Sequence, residues 1–284
     1  MIIVPFNYKS EESEYTNKSL FALKESYNLA RVSGSEILII QVIEKNSLFY
    51  FLSNDQLSEM VEGLSYKLQQ IAEKESIENG VKINSVVRVG RVASEVEKIS
   101  QENNAKWIVV GLNGKKPVDK DYIGGNTLRL IRNTDIPVIT VSGKLKEHRE
   151  YNNIFLPLDL TKYTIQKVNK AIEIARIFDS KIHVCSYRGK DVSCDVHLKK
   201  VQNLLNRSGI EYNIELVKLN RDLVHKHMLK YITDNNIDLC VVMSKEKTDE
   251  IVNFVSSVGQ QIIKKSIIPV MTLNPKELGF INPY

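Results

Sequence analysis

One stretch of this chain occurs twice, and that repeat limits its fold more than any other feature. Ala105-Lys-Trp-Ile-Val-Val-Gly-Leu-Asn-Gly114 leads on to Asp135-Ile-Pro-Val-Ile-Thr-Val141. Ile237-Asp-Leu-Cys-Val-Val-Met-Ser-Lys-Glu246 leads on to Ile267-Ile-Pro-Val-Met-Thr-Leu273. Pro137 follows Val110 by 27 positions, and Pro269 follows Val242 by the same 27. Segments that recur at one internal spacing are copies of one folding unit. The copies differ in chemistry: glycines at 111 and 114 in the first stand against Met243 and Glu246 in the second.

The order of elements within each copy sets the class. Ile2–Pro5 reads as a short strand, followed by Leu20, Leu23, Tyr27 and Ala30 at helical spacing and a stop at Gly34. Ile37–Ile43 is almost continuously apolar, as in a sheet covered on both faces. Helix Leu57–Glu78, strand Ile83–Val89, helix Ala93–Glu102, strand Trp107–Val110, helix Thr127–Arg132 and strand Pro137–Val141 complete the first half. The second half repeats the pattern: strand Asn153–Leu158, helix Tyr163–Phe178, strand Lys181–Ser186, helix Asp195–Ser208, strand Tyr212–Val217, helix Leu223–Thr233, and strands Leu239–Met243 and Pro269–Leu273. Strands separated by helices pair in parallel, because parallel neighbours need a crossover. The predicted class is α/β, with Rossmann-like units at 1–143 and 152–284 joined by the polar stretch Lys144–Tyr151.

Hydrophobic residues make up 43% and charged residues 26%, which fits a globular chain and argues against disorder. The net charge of +5 is spread among interleaved acidic and basic residues, so no nucleic-acid stripe is expected. No apolar run is long enough for a membrane span, and the first residues run straight into a strand without a leader layout. Three cysteines, Cys185, Cys194 and Cys240, do not suggest a disulfide framework, and a cytoplasmic location is expected.

Gly111-Leu-Asn-Gly114 lies at the carboxyl end of a buried strand, and Gly124-Gly-Asn-Thr127 opens the next helix. Glycines there permit positive φ and close approach of bare backbone to a ligand. The N–H groups of Gly125, Asn126 and Thr127 add donors at the positive end of a helix dipole, a natural phosphate site. Ligands of open α/β sheets sit outside the carboxyl ends of the strands, where this loop falls. The same glycines could simply end a strand and start a helix.

This spacing, Gly-x2-Gly-x9-Gly, resembles the signature of the universal stress protein family, and the resemblance covers nearly the whole chain as a tandem pair. Val4-Pro-Phe-Asn7 and Leu156-Pro-Leu-Asp159 open the units, and Pro137-Val138 and Pro269-Val270 lead their last strands. The resemblance implies five-stranded parallel sheets of order 3-2-1-4-5 with helices on both faces. It also implies antiparallel pairing of the two final strands, with a further homodimer left open. The implied ligand is ATP or a related adenine nucleotide, with Mg2+ as its candidate companion. The family's contacts fall on Asn7 for the nucleoside, Val42 for adenine, and Gly111, Gly114, Gly124, Gly125, Asn126 and Thr127 for the phosphates. Asn7 stands where an Asp is usual, and Gly125 where a Ser or Thr is usual. In the second unit Met243, Glu246 and Ser256 replace the glycines, with Ser257 at the hydroxyl position, and Glu246 would repel phosphate, so this unit is expected to bind no nucleotide.

The expected function is a stress-response protein with one regulatory or sensory nucleotide site; the alternative is a nucleotide-free scaffold of the same shape. No motif of an enzyme appears, although slow ATP hydrolysis stays open. Lys115 and Lys116 could neutralise phosphate or only face solvent. His183, Cys185, Cys194 and His197 form a loose metal-like set, for which a core role is the simpler reading. His225 and His227 lack an acidic partner at a telling spacing. Leu48-Phe-Tyr-Phe-Leu52, in an insertion near 43–60, could be a lid, an interface or core.

Overall fold

The computed structural model describes residues 1–8, 17–44, 53–112, 123–142, 150–158, 164–188, 194–219, 221–244 and 257–275. The first half runs β1 (Ile2–Pro5), α1 (Asn17–Ser33), β2 (Ile37–Ile43), α2 (Asn54–Asn79), β3 (Ile83–Val89), α3 (Val92–Glu102), β4 (Trp107–Gly111), α4 (Gly125–Asn133) and β5 (Val138–Val141). The second runs β6 (Asn153–Leu158), α5 (Thr164–Phe178), β7 (Lys181–Arg188), α6 (Cys194–Ser208), β8 (Tyr212–Lys218), α7 (Arg221–Asp234), β9 (Leu239–Met243), α8 (Ser257–Lys265) and β10 (Val270–Leu273). The sequence pattern locates the strands to within a residue or two, and Gly34 and Gly80 end α1 and α2 in the left-handed region at φ 61° and 64°.

The strands form one sheet in the order β3-β2-β1-β4-β5-β10-β9-β6-β7-β8. Each half is therefore parallel in the order 3-2-1-4-5, as expected. Alternating side chains feed two cores. Ile2 and Val4 pack with α1 and α2 on one face, continued by α5 and α6 in the second half. Ile3 packs with α3 and α4 on the other face, continued by α7 and α8. Burying each such side chain is worth about 1.5–3 kcal/mol, so a strand apolar on both faces gains twice.

β5 and β10 pair antiparallel, with Ile139 facing Met271 at the centre of the register. Around that pair the side-chain bonds are reciprocal. Ser142 at the end of β5 donates from Oγ to the Ser266 carbonyl beyond α8, at 3.2 Å. Asn274 at the end of β10 donates from Nδ2 to the carbonyls of Ile131 and Thr134 at the end of α4, at 2.8 and 2.5 Å. Each half thus caps the last turn of a helix in the other, where carbonyls lack partners within their own helix.

α8 is not among the helices that the sequence pattern predicts. Its run Ser257-Val-Gly-Gln-Gln-Ile-Ile-Lys-Lys265 is short and holds a glycine. The insertion's aromatic run at 48–52 lies outside the described residues.

Candidate functional site

A cleft of about 440 Å3 opens at the carboxyl ends of β1, β2 and β4. β1 pairs with β2 on one side and β4 on the other, so the chain reverses its direction of crossover here. Among the cleft's walls are Asn7, Lys18, Gln41, Val42, Glu44, Gly111 and Asn126. Four residues expected at a nucleotide site (Asn7, Val42, Gly111 and Asn126) are thereby brought together from four elements. Gly124, Gly125 and Thr127 sit beside Asn126 at the start of α4, and Gly114, Lys115 and Lys116 lie outside the described residues.

Asn7 is held by a clamp that the sequence does not announce. Its N–H donates to Ser19 Oγ on α1 at 2.8 Å. Gln41 Oε1 accepts from the N–H of Tyr8 at 2.8 Å, and its Nε2 makes a weaker bond to Asn7 Oδ1 at 3.4 Å. With Oδ1 engaged by Gln41, Asn7 has its amide nitrogen left to offer a ligand as a donor, where an Asp would offer only acceptors.

The described glycines of the loop do not use the positive φ that they permit. Gly124 is the N-cap of α4 at φ −55° and ψ 143°, and Gly111, Gly124 and Gly125 all lie outside the left-handed region. At Gly111 a Cβ would fall 2.0 Å from the carbonyl oxygen of Lys18. The backbone that approaches Gly111 closely is therefore that of α1, and the glycine is required by packing. A Cβ on Gly125 would meet nothing within 4 Å. α4 begins two residues earlier than the sequence suggests, with no side-chain cap and no acidic residue in its first turn. Its leading N–H groups, from Gly125 onward, keep the character of an anion site. Glu44, unnoticed in the sequence, reaches from the end of β2 and accepts from Asn126 Nδ2 at 3.3 Å.

The second half is built differently at the matching place. Pro5 pairs with Ile40 and Pro157 with Cys185, so Tyr187 occupies the step of Val42. Its hydroxyl bonds His227 Nδ1 at 3.1 Å, and burial pushes the phenol pKa well up. His227 also has an acidic neighbour in space, Glu215 on β8 at 3.9 Å, a pairing that no helical spacing announces. Met243 is buried, and Ser244 Oγ bonds Asn274 Oδ1. Asp159, Glu246 and Ser256 lie outside the described residues, as does the side chain of Ser257.

His183 and Cys185 share a face of β7. His183 bonds Asn153 Oδ1 at 3.0 Å and approaches the Tyr231 hydroxyl at 3.4 Å, and burial lowers its pKa. Burial pushes the thiols of Cys185 and Cys240 up to about 12, leaving them inert at neutral pH. The side chains of Cys194 and His197 lie outside the described residues. Among the described residues no group of three or more His, Cys, Asp or Glu could hold a metal, and no helix is long and apolar enough to cross a membrane.

The model of the universal stress protein family matches residues 2–142. Those residues belong to the universal stress protein family. Two universal stress proteins of Methanocaldococcus jannaschii are each similar to a little under half of the chain. One is 26% identical over 132 residues, covering 45% of this chain and 78% of the relative. The other is 22% identical over 150 residues, covering 46% and 92%. The crystal structure of a universal stress protein from Archaeoglobus fulgidus matches both halves together, covering 97% of this chain and 98% of its own at a TM-score of 0.75 and 18% identity. At that identity the likeness is one of fold.

Proposed function

We propose that the first unit, residues 1–143, binds ATP or a related adenine nucleotide as a regulatory or sensory ligand, and that the second, 152–284, does not. The observation that carries this reading is the cleft, which gathers Asn7, Val42, Gly111 and Asn126 against the start of a helix with no side-chain cap. Its volume of about 440 Å3 is in the range of small-molecule pockets, about 300–1,000 Å3. In this reading Val42 presents backbone to the adenine and the Asn7 amide reaches the nucleoside. Gly125, Asn126 and Thr127 offer N–H groups to phosphate, with Gly114, Gly124 and any Mg2+ completing that end. Tyr187, in the place of Val42, supports a non-binding second unit.

The reading is of a cytoplasmic switch; among the described residues of the cleft wall Glu44 is the one carboxylate, and no histidine stands beside it to position a water. Titration calorimetry with ATP, ADP and AMP tests it. Binding by the parent, lost in Gly125→Glu, is the expected result; the open space at Gly125 lets that variant fold while placing a carboxylate at the helix start. No heat with any of the three nucleotides overturns it. The Glu44–Asn126 bond favours a second reading, a scaffold of the same fold whose phosphate end is satisfied by its own carboxylate.

A further inference from the structure

We infer that Glu44 sets the phosphate preference of the cleft, which takes an adenine nucleoside or nucleoside monophosphate in preference to the free triphosphate. The inference rests on the nucleotide reading above. α4 brings no acidic residue of its own to its first turn and no side chain to cap it. The carboxylate at that end comes instead from Glu44, at the end of β2, which lines the cleft and accepts from Asn126 Nδ2 at 3.3 Å. A carboxylate beside the positive end of a helix dipole is favourably placed, so it occupies the electrostatic role that a phosphate would take.

A nucleotide whose tail points at the start of α4 must sit next to this charge. Each added phosphate charge within about 8 Å of a carboxylate in a water-like medium weakens binding roughly twofold. Lys18 is the one basic side chain among the described residues of the cleft wall, and Glu44 the one acidic. Asn7, neutral where the family resemblance expects an acid, leaves the nucleoside end without a charge of its own. The charge that discriminates is therefore at the phosphate end, and it is Glu44.

The test is a matrix of dissociation constants for adenosine, AMP, ADP and ATP, at low ionic strength and without divalent cations, for the parent and Glu44→Gln. Glutamine keeps an acceptor for Asn126 and removes only the charge. The parent is expected to bind AMP more tightly than ATP. Glu44→Gln is expected to leave adenosine unchanged and to tighten ATP about fivefold or more relative to it, a gain that shrinks as salt screens the charge. Glu44→Lys should extend the same trend. If the parent binds nucleotide but the ATP-to-adenosine ratio is the same in Glu44→Gln, Glu44 is not the discriminator and this inference falls while the nucleotide reading stands. If neither protein binds any of the four ligands, the nucleotide reading falls and takes this inference with it.

Discussion

Replacing Gly111 by alanine tests whether the first glycine of the loop serves the fold or the ligand. The added Cβ would stand 2.0 Å from the Lys18 carbonyl oxygen and 2.6 Å from its carbon, against a working minimum near 3.0 Å. The neighbour is main chain in the first turns of α1, so no side chain can swing away. Either α1 or the end of β4 must shift by about an ångström. Overpacking of this kind costs about 1–3 kcal/mol. For a chain of this size each kcal/mol moves the melting temperature by about 2–4 °C, so Gly111→Ala should melt several degrees below the parent, with no ligand present. Gly125→Ala is the control. Its Cβ meets nothing, it lies in the first turn of α4, and alanine there should be neutral or slightly stabilising. Thermal melts followed by circular dichroism would compare the three proteins. If Gly111→Ala and Gly125→Ala both melt with the parent, α1 does not rest on Gly111 and the packing explanation is wrong.

Three further outcomes are expected. Asn274→Ala removes two bonds to the end of α4 from the opposite half and should destabilise the chain by about 1–2 kcal/mol; an unchanged urea midpoint would show the caps to be idle. His183 has a lowered native pKa, so the unfolded chain binds more protons below the ordinary value near 6.5. Its contribution is present above that pH and is lost as the pH falls, so the urea midpoint should drop between pH 7 and pH 5.5, and less so in His183→Gln; parallel slopes for the two proteins would count against this. Cys185 and Cys240, with pKa values near 12, should resist a thiol reagent in the folded Cys194→Ser protein and react fully in urea; prompt labelling in the native state would refute their burial.

The fold was legible because its signals are local. Runs such as Ile37–Ile43 fix their strand by composition, and Gly34 and Gly80 end helices through their own backbone freedom. α8 escaped notice because its nine residues include Gly259 and its apolar positions are few. At the cleft, the residue types at four positions were readable, but the contacts that position them were not. The partner of Gly111 is Lys18, at the far end of the half, so a glycine kept for helix packing looks in sequence like one kept for a ligand. Glu44 and Asn126 are 82 positions apart, and Gln41 reaches Asn7 across 34. Such pairs exist only once the parallel register is set. The same holds for His227, whose acidic neighbour Glu215 comes from the preceding strand and follows no helical spacing.

The antiparallel seam between β5 and β10 carries a directional consequence. Strands β1–β5 run toward one end of the sheet and β6–β10 toward the other, so the carboxyl ends of the two halves' strands lie at opposite ends of the sheet. The mouth beside Asn7 and Glu44 therefore shares its end of the sheet with the entry ends of the second half's strands, where a separate groove is lined by Asn152, Asn153 and Lys181. Anything that covered that end of the sheet would meet two unlike surfaces, one from each half.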